Sequence, residues 1–249
     1  MMRIVSALIA VLLAAALSAQ AEESAGAKWS TSANAGLNLT RGNSRTTAGN
    51  ASIVSERKGD AHEVTLGVEG NYGQSEQTDA DGGTEMKTTV QNEKGYAKYR
   101  YLFTDRDYAY MNGELSQDKI ADIKYRLIVG PGLGRYWIKS DKNTLGTELG
   151  ISWIKEKISE DEGDRFALRF AEKYELKISD TAKLWESVEY LPAIDDFENY
   201  LVNGEIGVEA AMNSKLSLRI VAQDKYNNVP ADGKEKNDFT VTAGIGYKL

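Results

Sequence analysis

The segment Asn237-Asp238-Phe239-Thr240-Val241-Thr242-Ala243-Gly244-Ile245-Gly246-Tyr247-Lys248-Leu249 alternates strictly between apolar residues and small or polar ones. In an extended chain, successive side chains point to opposite faces, so all the apolar members of this segment share one face. A period of two over this length is typical of a β-strand with one apolar and one polar side. The segment predicts a two-faced strand at this end of the sequence and supplies the pattern to be sought elsewhere.

The same alternation recurs along the chain and predicts twelve strands. They lie at about Trp29–Leu39, Thr46–Arg57, His62–Tyr72, Lys87–Phe103, Tyr108–Gln117, Tyr125–Trp137, Leu145–Trp153, Phe166–Ile178, Ala182–Leu191, Tyr200–Met212, Leu216–Tyr226 and Asp238–Leu249. Most are near the length of about 9–11 residues that a tilted strand needs to cross a bilayer. The ninth is ambiguous, because Trp185 and Leu191 compete with Leu184, Val188 and Tyr190 for its apolar face.

The connections between these strands differ in length on alternate sides. Links after even-numbered strands are short: 58–60, 104–106, 139–143, 179–181 and 213–215. Links after odd-numbered strands are mostly longer and polar, at 75–85, 118–124, 155–163, 192–198 and 227–236, although 40–45 is short. Short turns at one end and longer loops at the other are typical of outer-membrane barrels. With an even strand number, we expect both termini on the short-turn, periplasmic side.

Aromatic residues concentrate at the two ends of the predicted strands. The short-turn ends carry Trp29, Tyr101, Phe103, Tyr108, Tyr110, Trp137 and Tyr247, and the long-loop ends carry Tyr72, Trp153, Phe166, Tyr190, Tyr200, Tyr226 and Phe239. Amphipathic rings prefer membrane–water interfaces, so two belts are expected of a spanning barrel. Aromatic residues also favour strand ends in other β-proteins, and the belts therefore support the membrane interpretation without proving it.

The start of the chain has the features of a secretory signal peptide. Arg3 precedes the apolar run Ile4–Leu17, and Ala19-Gln20-Ala21 provides a small-x-small cleavage pattern. The apolar run is shorter than the roughly 20 residues of a membrane-spanning helix, which disfavours an uncleaved anchor. We expect residues 1–21 to be removed and 22–249 to form a single domain.

The composition fits an exported β-protein. The chain has 23 Gly and 13 Tyr but 3 Pro, and no Cys that could supply a disulfide framework. Its 37 acidic residues exceed its 30 basic ones, whereas a nucleic-acid-binding surface calls for a basic stripe. We expect no nucleic-acid partner.

These patterns together predict an all-β, antiparallel, up-and-down transmembrane β-barrel of about twelve strands. A closed barrel pairs every backbone polar group within the protein, as hydrocarbon requires. Alternation alone also fits a soluble periplasmic β-barrel or sandwich, which would turn its apolar faces inward and bind an apolar ligand.

Signals for catalysis are weak. His62 is the one histidine and falls on the apolar side of its strand, and no Cys can act as a metal ligand. We expect no catalytic, cofactor-binding or metal-binding residues; the rival is a barrel lipase or protease that uses His62. Gly130-Pro131-Gly132-Leu133-Gly134 lacks the context of a phosphate loop and is better explained by geometry, with Pro131 marking a bulge or a break in pairing.

Charged residues fall on the polar sides of three strands. Candidate lumen-lining residues are Glu148 on the seventh strand, Arg165, Arg169, Lys173 and Lys177 on the eighth, and Glu205 and Glu209 on the tenth. Opposite charges on an inner wall either set the selectivity of a pore or pair and fill it. The sequence leaves both alternatives open.

The order of several short motifs resembles an uncharacterised family described as salt-induced outer-membrane proteins. The motifs are Gly42-Asn43-Ser44, Arg106-Asp107-Tyr108, Asp118 with Tyr125-Arg126, the Gly130–Gly134 run, Glu148-Leu149-Gly150 and the alternating end. The resemblance implies an outer-membrane location. We therefore expect outer-membrane lipid and the barrel-assembly machinery as partners. The charged lumen face without a catalytic set leads us to expect either a small-solute or ion pathway or a structural envelope role linked to osmotic stress. Leu249 stands where outer-membrane proteins usually end in an aromatic residue, which affects expected insertion efficiency.

Overall fold

The computed structural model describes residues 29–40, 45–78 and 83–249. The predicted signal peptide and the Gly42-Asn43-Ser44 motif lie outside these ranges. The strands are β1 (Trp29–Thr40), β2 (Arg45–Lys58), β3 (His62–Thr78), β4 (Thr84–Leu102), β5 (Asp107–Asp118), β6 (Ile123–Lys139), β7 (Asn143–Ile158), β8 (Asp161–Lys177), β9 (Ala182–Pro192), β10 (Tyr200–Ala211), β11 (Leu216–Asn227) and β12 (Asn237–Lys248).

The twelve strands form one closed barrel. Each strand pairs antiparallel with its neighbours in sequence, and β1 pairs with β12 to close the ring. The predicted fold class and strand number are confirmed. Within the described ranges, the structure contains no helix long and apolar enough to cross a bilayer.

Several strands are longer than the alternation predicted. β3, β6 and β8 have 17 residues each and β4 has 19. Much of two predicted loops is therefore β-structure: β3 and β4 pair as far as Thr78 and Thr84, and β7 and β8 as far as Ile158 and Asp161. These extensions are mostly polar in sequence and therefore resemble loops, yet their backbones continue the ladder.

The barrel has its apolar side outward. Leu133, Ile220 and Phe239 are each at least 60% exposed on the outer face. The inner face instead carries paired acidic and basic side chains such as Glu148 and Arg169. A soluble barrel or sandwich would place the apolar side within, whereas this polarity is that of a membrane-spanning barrel.

The structure resolves the ambiguous face of β9. Trp185 is 7% exposed and donates its indole N–H to Glu205 on the inner face of β10. Leu184, Val188 and Tyr190 therefore point outward. The indole lies flat over Gly207, where an added Cβ would come within 2.1 Å of the ring.

Two residues assigned to the short-turn aromatic belt lie elsewhere. Tyr108 and Tyr110 are 2% and 4% exposed and face the lumen, where their hydroxyls meet charged groups. Assigning them to the membrane interface was wrong, because position near a strand end does not reveal which face an aromatic ring occupies. By contrast, Phe103 and Trp137 are more than half exposed.

Pro131 lies at a gap in the β6–β7 ladder, and the register of the ladder is the same on both sides of the gap. The β6–β7 ladder joins Val129 to Trp153 and Gly132 to Gly150 in the same register, with no pairs at 130 and 131. The shifts in this ladder lie between Ile123 and Tyr125 and between Tyr136 and Ile138. The predicted break is thus present, and the bulge is at other positions.

Candidate functional site

The inner face of the barrel carries a compact network centred on Glu148 of β7. Its carboxylate accepts hydrogen bonds from Lys98 Nζ, from Arg100 Nε at 3.3 Å and from Arg169 Nη1 at 2.8 Å. The Tyr108 hydroxyl donates a further bond at 3.1 Å. Three cationic side chains therefore converge on one carboxylate.

These contacts cross the lumen. β4, which carries Lys98 and Arg100, lies three strands from β7 in the twelve-stranded ring, a quarter of its circumference. The two strands share no backbone ladder, so Lys98 and Glu148 meet by extending inward from different parts of the wall. The network fills the sector between them.

Two further carboxylates complete the network. Glu63 of β3 accepts from Arg100 Nη1 at 3.4 Å and from the Tyr136 hydroxyl at 3.0 Å. Glu189 of β9 accepts from Arg169 Nε at 2.6 Å and from Asn203 Nδ2 at 3.2 Å. We call the six charged residues the Glu148 hub: Glu63, Lys98, Arg100, Glu148, Arg169 and Glu189. It balances three positive and three negative side chains.

Glycines of β6 leave room for the rings of Tyr108 and Tyr110, which lie beside the hub. A Cβ on Gly134 would lie 2.4 Å from the Tyr108 ring, and one on Gly132 would lie 2.3 Å from the Tyr110 hydroxyl. The Gly130–Gly134 run therefore provides a flat surface on which two aromatic rings lie. Lys98 lies 5.0 Å from the centre of the Tyr110 ring, so the rings also offer their faces to the cations.

The centre of the hub, around Glu148, is almost closed to water. The side chains of Glu148 and Arg169 are 6% and 7% exposed, and those of Lys98 and Arg100 are 18% and 17% exposed. Buried charges of this kind are tolerated when they are paired and hydrogen-bonded. The hub therefore forms a polar constriction in which charges neutralise one another.

The other predicted lumen residues form separate groups. Arg165 pairs with Glu156, which also accepts from Arg126 Nε at 2.5 Å. Glu205 accepts from Trp185 Nε1 and, at 2.8 Å, from Gln223 Nε2.

Glu209 and two lysines of the predicted set lie towards the short-turn end. Glu209 lies 3.4 Å from both Lys183 Nζ and Arg219 Nε. Lys173 pairs with Glu175 at 2.7 Å. Lys177 pairs with Asp180 of the adjoining turn at 2.8 Å, so it lies at the rim. Of the predicted residues, the structure joins only Glu148 and Arg169 directly.

An apolar patch lies on the inner face nearer the long-loop end. It comprises Ile128, Ile154, Ala167, Leu191 and Leu201 from the adjacent strands β6 to β10, each no more than 5% exposed. The patch closes part of the lumen by packing.

The inner face of β12, β1 and β2 is different in kind. We call it the small wall; its inward residues include Ser32, Asn34, Gly36, Asn50, Ser52, Thr242, Gly244 and Gly246. Asn34 Nδ2 donates to Ser52 Oγ at 3.2 Å, which shows that these side chains bond along the wall. By contrast, the inner face of β3 to β9, which we call the charged wall, carries the hub.

His62 lies on the outer face, away from the hub. Its Nδ1 is 2.7 Å from the Tyr99 hydroxyl, and its ring lies beside Tyr101 at 5.3 Å. Both tyrosines are exposed. No group of three or more His, Asp or Glu residues that could hold a metal occurs in the described ranges.

Sequence reasoning missed Lys98, Arg100, Glu63 and Glu189. Lys94, Lys98 and Arg100 do share one side of β4, but tyrosines stand on both sides of that strand and obscure its inward face. Lys98 and Arg100 also meet Glu148 across three strands, so no local spacing could have paired them with it.

The fold and the lumen define a porin-like β-barrel. The structure is similar to the NanC porin, with a TM-score of 0.55 at 9% identity, covering 88% of this chain and all of that one. It also matches the KdgM porin, with a TM-score of 0.48 at 7% identity over 89% and 99% of the two chains. A third match is the outer-membrane channel DcaP of Acinetobacter baumannii, with a TM-score of 0.42 at 11% identity over 92% and 99%.

Within that class, the chain belongs to the family described as a protein of unknown function, DUF481, whose model matches residues 33–249. No curated protein matches it in sequence. Membership of an uncharacterised family, as expected from the sequence, is thereby confirmed, and the likeness to the NanC porin confirms the barrel fold.

Proposed function

We propose that the protein is an outer-membrane barrel that provides a narrow pathway for small ions or polar solutes, restricted by the Glu148 hub. The supporting observation is that Lys98 and Arg100 reach Glu148 from β4, three strands away, while Arg169 meets it from the adjacent β8. The lumen is thus narrowed by charged side chains instead of a continuous apolar core. Charged constrictions of this kind control permeation in channels.

The pathway follows the small wall. The hub spans β3 to β9, and β12, β1 and β2 contribute short side chains and glycines. Between these two walls lie β10 and β11, which carry Glu205, Glu209 and Arg219 inward. A solute that passes the hub would have polar groups on both sides. The positive and negative side chains of the hub are equal in number, so the hub has no net charge. Rearrangement of these side chains would therefore determine whether an ion passes.

The proposed orientation places the short turns and both termini in the periplasm. Outer-membrane barrels carry their longer connections outside, and here the extended β3–β4 and β7–β8 hairpins project from the long-loop end. Outer-membrane lipid and the barrel-assembly machinery are the partners that this placement requires.

We also propose that the role is not enzymatic. His62, the residue of the enzyme alternative, lies on the outer face with Tyr99 as its hydrogen-bond partner. Replacing His62 with Ala should leave the lipid profile of cells unchanged. A shift in that profile, with the protein still inserted, would support the enzyme alternative.

Planar-bilayer recording tests the pathway. The double variant Glu148→Ala/Arg169→Ala removes one anion and one cation from the hub, so the wild type should give small discrete steps and this variant larger ones. The matched control is Lys155→Ala/Glu162→Ala, which removes a pair at 3.2 Å from the same two strands in the projecting hairpin. The control should conduct like the wild type.

A structural envelope role is the second candidate, and the inward apolar patch around Ile154 favours it. Folded protein that stays silent in both wild-type and hub-variant form would select this candidate. Folding is checked by heat-modifiable gel mobility, in which a folded barrel migrates differently from its boiled form.

The resemblance to salt-induced proteins extends the proposal to osmotic stress. The amount of protein in the outer membrane should rise when cells are moved to high salt. An unchanged amount would remove this part of the proposal and leave the pathway untouched.

A further inference from the structure

A groove lies on the outer wall of the barrel, on the face that the bilayer would cover. It has a volume of about 630 Å³. Its apolar lining consists of Phe103, Leu133, Leu149, Phe170, Val188 and Tyr190. Most of these side chains are strongly exposed, so the groove is an unfilled apolar surface on β6 to β9.

A row of polar residues runs across the groove towards its short-turn side. Asp107, Arg135, Thr147 and Glu172 are successive register partners on β5, β6, β7 and β8. All four also line the groove. We call these four residues the polar row. It crosses a wall whose outward residues are otherwise mainly apolar.

One end of the polar row is basic and well fixed. Arg135 Nη1 bonds Asp107 Oδ1 at 2.9 Å, and its guanidinium lies 5.4 Å from the Trp137 ring. Trp137 in turn donates its indole N–H to Thr147 Oγ1 at 2.8 Å. Arg135 is held by these contacts and still has N–H groups to donate into the groove.

The other end of the polar row is an acid that lacks a cation. Glu172 lies between Phe170 and Tyr174 on the outer side of β8, and no basic side chain of the described residues forms an ion pair with it. A charged group on the lipid-facing wall is costly unless it is paired. The bilayer itself is the available source of a positive group at this position.

We propose that the groove binds a phospholipid whose headgroup carries a primary ammonium. An acyl chain would lie along Leu133, Leu149 and Phe170, the phosphate would accept from Arg135, and the ammonium would donate to Glu172. Arg135 and Glu172 are two strands apart, about 10 Å between backbones. A zwitterionic headgroup of this kind carries a negative phosphate that matches Arg135 and a positive ammonium that matches Glu172.

This inference rests on the membrane-spanning part of the proposed function and is independent of conduction. Native mass spectrometry of the detergent-purified, delipidated protein provides the test. Phosphatidylethanolamine, phosphatidylglycerol and phosphatidylcholine are added in turn; the second has no amine, and the third has a quaternary amine without N–H donors. The wild type should retain phosphatidylethanolamine several-fold more than either of the others.

Three variants separate the contributions. Glu172→Gln should abolish the preference for phosphatidylethanolamine over phosphatidylglycerol, while Arg135→Gln should weaken the retention of both. The control Glu93→Gln alters a carboxylate on the outward side of β4, outside the groove, and should behave like the wild type.

Equal retention of the three lipids by folded wild-type protein would overturn the inference, as would an unchanged preference in Glu172→Gln. Masses showing a dimer with no bound lipid would assign the groove to a second copy instead and also overturn it. Failure of the membrane placement has a different signature. The protein would then remain soluble without detergent and show no heat-modifiable mobility.

Discussion

The charged wall and the small wall of the lumen both present a polar inner face, but they satisfy its polar groups in different ways. The charged wall uses long side chains that extend from β4, β7 and β8 and neutralise one another. The small wall uses Ser, Asn, Thr and Gly, whose short side chains bond along the wall, as Asn34 and Ser52 do. The charged wall therefore extends its polar groups into the lumen, and the small wall keeps its polar groups close to the backbone.

This difference shows that the inner face is not a uniform lining. In the charged wall, Lys98 and Arg100 depend on Glu148, three strands away, so a single change affects several elements. In the small wall, each residue depends mainly on its immediate neighbours. Stability should therefore be sensitive to the charged wall, and passage should be sensitive to added bulk on the small wall.

The largest effect is expected from Glu148→Gln. The substitution leaves Lys98, Arg100 and Arg169 without the carboxylate that joins them, and breaking a buried charge pair typically costs about 3–5 kcal/mol. Urea unfolding in lipid vesicles, followed by heat-modifiable mobility, measures the free energy of unfolding.

Glu209→Gln is the matched control for this prediction. Its side chain is 25% exposed and its partners Lys183 and Arg219 are 3.4 Å away, so the loss should be about 1 kcal/mol or less. Equal losses for the two variants would show that the hub is no more important than a solvated pair.

The next largest effect tests the glycine surface beneath the tyrosines. Gly134→Val would drive a side chain into the Tyr108 ring, and overpacking of this kind costs about 1–3 kcal/mol. Gly113→Val on β5 is the control, since its added Cβ would meet nothing within 4 Å. The unfolding free energy should fall for the first variant and stay close to wild type for the second. A similar fall in both would contradict this role of Gly134.

A smaller effect is expected when the small wall is made bulky. Ser52→Trp places a large ring in the proposed pathway and should reduce unit conductance roughly twofold or more. Ala51→Trp is the control, because the neighbouring residue faces outward where a ring is compatible with lipid. If the inward ring leaves conductance unchanged, the pathway does not follow the small wall.

The smallest effect concerns the loops above the charged wall. Asp122 accepts hydrogen bonds from Lys124 Nζ at 2.8 Å and from Ser159 Oγ at 2.6 Å, which hold the pKa of its carboxyl below the usual value of 3.8. A lowered folded-state pKa means that this tie is fully present above pH 3.8 and is lost as the pH falls through the folded pKa.

Hydrogen exchange at the Ser159 amide, which donates to the Asp122 carbonyl, should report this loss. Its protection factor should decline in the wild type as the pH falls below 3.8 and through the folded-state pKa of Asp122. In Asp122→Asn the protection should be lower and independent of pH over this range. Protection that does not change with pH in the wild type would refute the role of the carboxylate.

The fold could be predicted because its signals are local. Alternation in Phe239–Tyr247 depends only on neighbouring residues, and antiparallel strands joined by short links pair in sequence order. The hub could not be predicted in the same way. The contact of Lys98 with Glu148 depends on the curvature and stagger that bring their side chains together from β4 and β7, and alternation contains neither.

The pattern of a single strand does not show which face points inward when aromatic residues occur on both faces. Trp185 lies inward because Gly207 on the next strand leaves room for its ring. Tyr108 and Tyr110 lie inward for the same reason, above Gly134 and Gly132. A search for glycines opposite aromatic residues on adjoining strands would have identified the inward face in each case.

The junction of β1 with β12 has a consequence for how the barrel forms. Every other junction links strands that are neighbours in sequence. At this junction Ala35 pairs with Ile245, about 200 residues later. Contacts between residues so far apart in sequence form slowly. Within the described residues, their ladder covers only Ser32–Leu37 of β1. Closure of the ring is therefore expected to be the last and slowest step of folding. Until it occurs, the curled sheet has two unsatisfied edges that could pair with another chain.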